Sequence, residues 1–324
     1  MVDYYMPIYD GTNIVSCDML RIEFEVRADN LIHFQNDMQE KLDKFYDLSD
    51  YFSSLKDFQY RHLFRFGIKG CSFVIGFSLN GLDSESMRKG FIEFNPNKVL
   101  TTITLDDGVL DSHGFLKLRK SDSCPFCCVD DCTDNYVDTR DLVRECFIEV
   151  FNLIINNYAI HARIKRFDLA IDVAISRDNV QLFKDKRKYT QYMNSKYDLT
   201  EYLGSGSTGG RVKVYNKTLE SMLDYDLTRV EITSDVLEYF DFMKYFPRVR
   251  IAGKAYSSAT TILLEMLELI PLDERNRIYC KLSANTKKKY REMLEGQYLD
   301  LSCNVFDKIV TNMQEFLKFG VLRY

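Results

Sequence analysis

Short runs in which apolar and polar residues alternate recur through the first 240 residues, the period of a strand with one face in a core. Met19-Leu-Arg-Ile-Glu-Phe-Glu-Val26, Ser72-Phe-Val-Ile-Gly-Phe-Ser78, Phe91-Ile-Glu-Phe94 and Arg166-Phe-Asp-Leu-Ala-Ile-Asp-Val173 read this way. So do Arg211-Val-Lys-Val-Tyr-Asn-Lys217 and Thr228-Arg-Val-Glu-Ile232. Two stretches have helical spacing instead. Leu31, Phe34, Met38, Leu42 and Phe45 mark the first, and Leu142, Val143, Cys146, Phe147, Val150, Phe151, Ile154 and Ile155 give the second a wide apolar stripe, capped by Asp138 or Thr139. Beyond about residue 240 the three-and-four spacing takes over, at 258–270, 285–294 and 304–317. The pattern predicts an α+β fold. Its parts are a mostly antiparallel sheet over 1–240 with helices on one face, and a helical region over 241–324.

If the helices cover the apolar face, the other face collects ionisable groups. Arg166, Asp168, Ala170 and Asp172 share it on one strand, Arg229 and Glu231 on another, and Glu93 stands with Asn95 on a third. Strict alternation also puts Arg211, Lys213, Tyr215 and Lys217 together, with Val212 and Val214 turned to the core. The glycine-rich lead-in Gly204–Gly210 precedes them and lacks the Gly-Lys-Ser/Thr ending of a phosphate loop. Converging carboxylates repel unless a cation lies between them, and their oxygens suit Mg²⁺ or Mn²⁺, which also bind phosphate. Beside such an ion a phenol can attack a phosphorus atom. The other reading is an open antiparallel face in contact with water, with Tyr215 simply one good strand former among 21 tyrosines.

Composition narrows the setting. The chain has 324 residues, 46% of them hydrophobic, and no apolar run long enough for a membrane span. Its start lacks the order of a signal peptide, so a cytoplasmic protein with free thiols is expected. The net charge of -5 opposes indiscriminate nucleic-acid binding, yet residues 161–220 hold twelve Lys/Arg against seven Asp/Glu. Residues 99–137 break the strand rhythm and look inserted. Their Cys124, Cys127, Cys128 and Cys132 either bind Zn²⁺ or form a thiol-rich loop, since the pairs are more crowded than usual zinc ligands. Lys287, Lys288, Lys289 and Arg291 make one late helix basic, either a DNA reader or a solvated face. Arg21-Ile-Glu23 and Arg229-Val-Glu231 form a faint internal echo.

Five stretches in order resemble the Rep_trans family, the replication initiators of staphylococcal rolling-circle plasmids. They are Glu93-Phe-Asn-Pro-Asn-Lys98, Arg166-Phe-Asp-Leu-Ala-Ile-Asp172, Glu201-Tyr-Leu-Gly204, Val214-Tyr-Asn-Lys217 and Arg229-Val-Glu-Ile232. The resemblance covers about 91–98 and 138–240; the cysteine-bearing segment departs from it. It implies a nicking and closing enzyme that binds double-strand origin DNA as a homodimer, attaches Tyr215 to the 5′ end of the nicked strand, and works with a host helicase and polymerase. On this reading Tyr215, Lys217 and Arg229 are catalytic, with Asp168, Glu231, Glu93 and Asp172 holding Mg²⁺ or Mn²⁺. Arg211, Lys213 and Asn216 would contact DNA, as would the basic helix at 287–291. The scattered histidines, none in an H-x-H pair, set the chain apart from nickases with histidine-bound metal. Relaxases of conjugative transposons share the family, and a DNA-binding regulator without catalysis is the rival from another class.

Overall fold

The computed structural model describes residues 8–9, 13–53, 62–68, 71–78, 87–100, 132–193, 198–205, 209–221, 223–251, 266–267, 270–295, 299–301 and 303–319. Cys124, Cys127, Cys128 and most of the expected insertion lie outside them, as does the side chain of Cys132. Along the chain the strands are β1 (Ile8–Tyr9), β2 (Ile14–Arg27), β3 (Ser49–Ser53), β4 (His62–Ile68), β5 (Cys71–Phe77) and β6 (Met87–Phe94). After a long helix come β7 (Ala159–Val173), β8 (Val180–Leu182), β9 (Tyr189–Met193), β10 (Leu199–Leu203), β11 (Val212–Asn216), β12 (Thr228–Ser234) and β13 (Val249–Ile251). Eleven of these form one antiparallel sheet in the order β3-β4-β5-β6-β2-β7-β12-β11-β10-β9, with β1 beside β2, and β8 pairs with β13 separately. The α+β architecture is therefore as the alternation predicts.

The pivot of the sheet is β7, flanked by β2 and β12. The two echoing tripeptides thus stand on either side of one strand, Arg21 opposite Arg166 and Arg229 opposite Asp172. Phe167, Leu169 and Ile171 of β7 are wholly buried, as are Val212, Val214, Val230 and Ile232 on β11 and β12. The helix Cys132–Asn152, continued by a wider turn over Leu153–Tyr158, covers the same side of the sheet at β4 and β5. Its Phe147 meets Phe73 edge-on at 5.1 Å and Phe94 at 4.5 Å between ring centres. Truncating such a ring to alanine costs about 3–5 kcal/mol.

The helical segment after residue 240 divides. The helix Phe306–Phe319 belongs to the main core, where Phe316 lies 4.7 Å from Phe151 and Phe306 lies 4.6 Å from Phe242. The helices Leu272–Lys281 and Ala284–Glu295 share a small cluster of their own around Leu267 and Tyr290.

Candidate active site

The polar face is built around β7, β12 and β11. Cross-strand partners share a face, so the pairs Tyr215–Arg229, Arg229–Asp172, Lys213–Glu231 and Thr233–Asp168 lay these residues side by side. Arg229 is the hub. Its Nε and Nη2 donate to the two oxygens of Asp172 at 2.6 and 2.7 Å, and its Nη1 lies 3.0 Å from Oδ1 of Asp18. Arg229 and Asp172 are nearly closed to solvent, Asp18 is half-buried, and the two carboxylates hold the guanidinium firmly charged against the cost of burial.

Asp18 is the residue that alternation misses, and the reason is a β-bulge. The register between β2 and β7 shifts between Cys17 and Met19, leaving Asp18 as the extra residue. Cys17 and Leu20 stay in the core while Asp18 reaches the polar side. Asn95 fixes it there: its Nδ2 donates to Asp18 Oδ1 at 2.9 Å, while its Oδ1 accepts the Lys98 N–H and caps the short helix Pro96–Val99. Burial alone would raise the Asp18 pKa, but Arg229, Lys217 and Lys98 outweigh it and hold the group below the usual carboxylate range.

The tyrosine strand ends one residue before the alternation implies. Asn216 closes β11, and its Oδ1 accepts the N–H of Leu219 at 3.0 Å, starting the helical turn Lys217–Ser221. Lys217 therefore does not extend the strand face. It is held within the turn, paired with Glu220 and close enough to Asp18 and Arg229 to feel both charges. Burial, then the like charge of Arg229, lowers its pKa. Tyr215 is 5% exposed. Burial pushes its phenol far up despite the opposing pull of Arg229, and Lys213 Nζ sits 3.9 Å above its ring.

The other carboxylates have different fates. Both oxygens of Asp172 are occupied by Arg229, so this side chain serves the guanidinium. Glu93 lies 3.3 Å from Arg21 and 3.4 Å from Arg166. Asp168 is held by Thr233 on one side, while its Oδ1 is buried without a hydrogen-bond partner. Burial raises its pKa, Thr233 and Arg166 pull the other way, and Asp18 and Glu93 push it up again. Glu231, 3.6 Å from Lys213, is pushed up to about 6 by burial first and then by Asp168 and Asp18.

These groups fit one hard divalent cation in a limited way. Among the described residues no three His, Cys, Asp or Glu side chains converge as a ready-made cage. Mg²⁺ commonly takes one or two carboxylates and completes its shell with water and substrate phosphate. Asp168, with its orphaned oxygen, and Glu231, a like-charged neighbour, are the pair suited to that.

The two ends of the glycine-rich lead-in are clamped. Gly204 and Gly210 both have φ of 85°, and their N–H groups donate to the carbonyls of Lys188 and Thr233. Arg187 donates to the Gly210 carbonyl at 2.7 Å. Residues 206–208 lie outside the described ones. Of the other expected DNA contacts, Arg211 stands 5.0 Å over the Tyr202 ring. On the basic helix Lys287 donates to the Cys280 carbonyl and Lys288 is exposed; the side chains of Lys289 and Arg291 are outside the described residues.

No family model matches the chain, and no curated protein matches it. Among solved structures it is similar to a rolling circle replication initiator protein from Geobacillus stearothermophilus. That likeness has 12% identity and a TM-score of 0.35, and spans 87% of this chain and 96% of the other. Among the described residues no helix is long and apolar enough to cross a membrane.

Proposed function

We propose that the chain is a metal-dependent, site-specific DNA nickase and strand transferase of the rolling-circle initiator type, with Tyr215 as nucleophile. The observation that carries this reading is the packing of Tyr215 against Arg229 and Lys213, with Lys217 near the same guanidinium, beside carboxylates of which one, Asp168, has a buried oxygen without a partner. A water-facing strand would not bury a phenol, a guanidinium and its carboxylate together beside a carboxylate oxygen without a partner, because each loses hydration.

In this reading Tyr215 Oη attacks the scissile phosphorus, a phosphotyrosine bond forms, and the P–O3′ bond breaks. The phenolic proton passes to a carboxylate of the cluster, and the leaving 3′ oxygen takes one up. Arg229 and Lys217 offset charge developing on the phosphate oxygens. Asp168 and Glu231 would hold Mg²⁺ or Mn²⁺, which when bound polarises the phosphate under attack. Asp172 keeps Arg229 aimed at Tyr215, a positioning role in place of metal ligation. The same chemistry serves an initiator at a replication origin or a relaxase at a transfer origin, and a host helicase, polymerase and second protomer belong to the initiator reading.

The test is adduct formation. Protein is incubated with supercoiled or single-stranded DNA carrying its cognate origin, with Mg²⁺ or Mn²⁺, and the covalent complex is resolved under denaturing conditions. Wild type is expected to give an adduct and Tyr215→Phe none. Failure of the wild type on its cognate site, or an undiminished adduct from Tyr215→Phe, sinks the reading; duplex binding without any adduct would mark a regulator.

A further inference from the structure

The polar face does not stop at Tyr215. The pairs Lys213–Tyr202 and Tyr202–Thr190 carry it across β10 to the last strand of the sheet, β9, and the pair Thr200–Tyr192 runs parallel one step along. Tyr202, Thr200, Thr190 and Tyr192 therefore share the face of Tyr215 and Lys213. Arg211 covers the Tyr202 ring at 5.0 Å, Lys188 is exposed just beyond Thr190, and Tyr192 is 64% exposed. A large aromatic held open on a strand face costs the protein apolar burial, and its neighbours here are cations and hydroxyls.

We propose that the outer face of β9 and β10 is a stacking platform for the unpaired DNA strand flanking the scissile phosphate, with Tyr192 and Tyr202 as the base-stacking side chains. Every base has a π face, so aromatic rings interleaved with Lys and Arg bind single strands with little regard to sequence. The cations match the backbone charge, and the platform is continuous with the nucleophile through Lys213. Two strand spacings separate β9 from β11, about 10 Å, enough for one or two bases beside the phosphate. Arg211 adds a guanidinium plane to the Tyr202 ring. The platform names the strand that the proposed nickase would hold, and so rests on that reading for its biological purpose though not for its measurement.

The measurement is the affinity of the full chain for a short poly-dT oligonucleotide at fixed salt, with photocrosslinking of a halouracil-substituted version to map contacts. Wild type is expected to bind and to crosslink at Tyr192 or Tyr202. Removing one ring as Tyr192→Ala should weaken binding roughly 5- to 150-fold. Tyr192→Phe should retain it, because stacking needs the ring and not the hydroxyl. Tyr192 is exposed, so its alanine variant keeps the core intact; Tyr202→Phe serves as the second, conservative comparison. A wild type that does not bind poly-dT overturns the platform, as does unchanged binding by the Tyr192→Ala, Tyr202→Ala double variant. So does a Tyr192→Ala variant that loses self-association but keeps the oligonucleotide, which would make this edge a contact between copies of the chain. An adduct with no ring dependence leaves the nickase standing without the platform; ring-dependent binding with no adduct leaves the platform without the nickase.

Discussion

Two arginine–carboxylate networks are buried in the same half of the sheet, on opposite faces, and they differ in how completely they close. On the core side Arg177 pairs with Glu201 Oε2 and donates to the Val180 carbonyl at 2.7 Å, while Tyr189 donates to Glu201 Oε1 at 2.7 Å. Both oxygens of Glu201 are taken, Arg177 Nε is the one group left buried without a partner, and the network fastens β8, β9 and β10 together. On the polar side Arg229 is as well paired, by Asp172 and Asp18, but its surroundings are not. Tyr215, Lys217, Glu231 and Asp168 are each displaced from their ordinary pKa by burial first, and Asp168 keeps an unpartnered oxygen. Structure alone explains the closed network. The open one retains unmet charge that a phosphate and a cation would meet.

The largest expected effect separates the two by replacement. Exchanging a whole buried ion pair for apolar residues of similar volume is often neutral or stabilising. Arg177→Met with Glu201→Leu should therefore leave stability within about 2 kcal/mol of wild type in urea unfolding and still form the adduct. Arg229→Met with Asp172→Leu also takes from Asp18 its main cation, leaving it Lys217 and Lys98, so this variant should be the less stable of the two and form none. Equal adduct yields from the two double variants would erase the distinction.

Removing only the acid treats the networks alike. Asp172→Ala or Glu201→Ala strands a buried guanidinium, at a cost of about 3–5 kcal/mol. Asp18, 3.0 Å from the same arginine, partly shields the first case, so Asp172→Ala should fall at the lower end. Thermal unfolding of both variants checks the order.

The closed network also shows why part of the molecule was illegible in the sequence. In Leu199-Thr-Glu-Tyr-Leu203 the core-facing positions are Leu199, Glu201 and Leu203, so a charged residue occupies an interior slot and the strand escapes an apolar count. Its partner Arg177 is contributed by a short turn with no period at all. By contrast the central residues Phe167, Leu169 and Ile171 of β7, Val212 and Val214 of β11, and Val230 and Ile232 of β12 keep one face apolar, and the alternation places Tyr215, Arg229, Asp168, Asp172 and Glu231 on the other. Asp18 was hidden by the bulge, and Lys217 leaves the strand because Asn216 caps a turn. Periodicity identifies which face a residue occupies; it is blind to which oxygen is already taken, as with Asp172.

A third prediction concerns the unmet charge directly. Glu231 has its pKa raised from 4.5 to about 6, so the folded chain binds its proton more tightly than the unfolded chain does. The sign follows: its contribution to stability falls as pH rises through this window and is fully unfavourable above it, by about 2 kcal/mol. Glu231→Gln should therefore be more stable than wild type at pH 8, by up to about 2 kcal/mol, with the advantage vanishing near pH 4. Adduct formation should be lost in the same variant, a gain in stability at the expense of function. A variant less stable than wild type at pH 8 would contradict a burial cost that Lys213 only partly offsets.

The smallest effect tests whether Lys213 belongs to the open network or only borders it. Its ammonium is the principal group holding Glu231 in the charged form, at 3.6 Å and partly exposed. In wild type at limiting Mg²⁺, adduct yield should rise with pH as Glu231 ionises, with its midpoint at or below the metal-free value of about 6 because the cation favours the carboxylate. Lys213→Met keeps the aliphatic cover over the Tyr215 ring while removing the charge, so the profile should move to higher pH. Solvent screening limits a pair this exposed to a few tenths up to about 1 kcal/mol, a displacement of less than about one pH unit. Such a displacement, with the plateau yield at high pH reduced only modestly, would assign Lys213 to tuning Glu231. A lowered plateau with no displacement would assign it instead to the phosphate, as a cation that the attacked group meets directly.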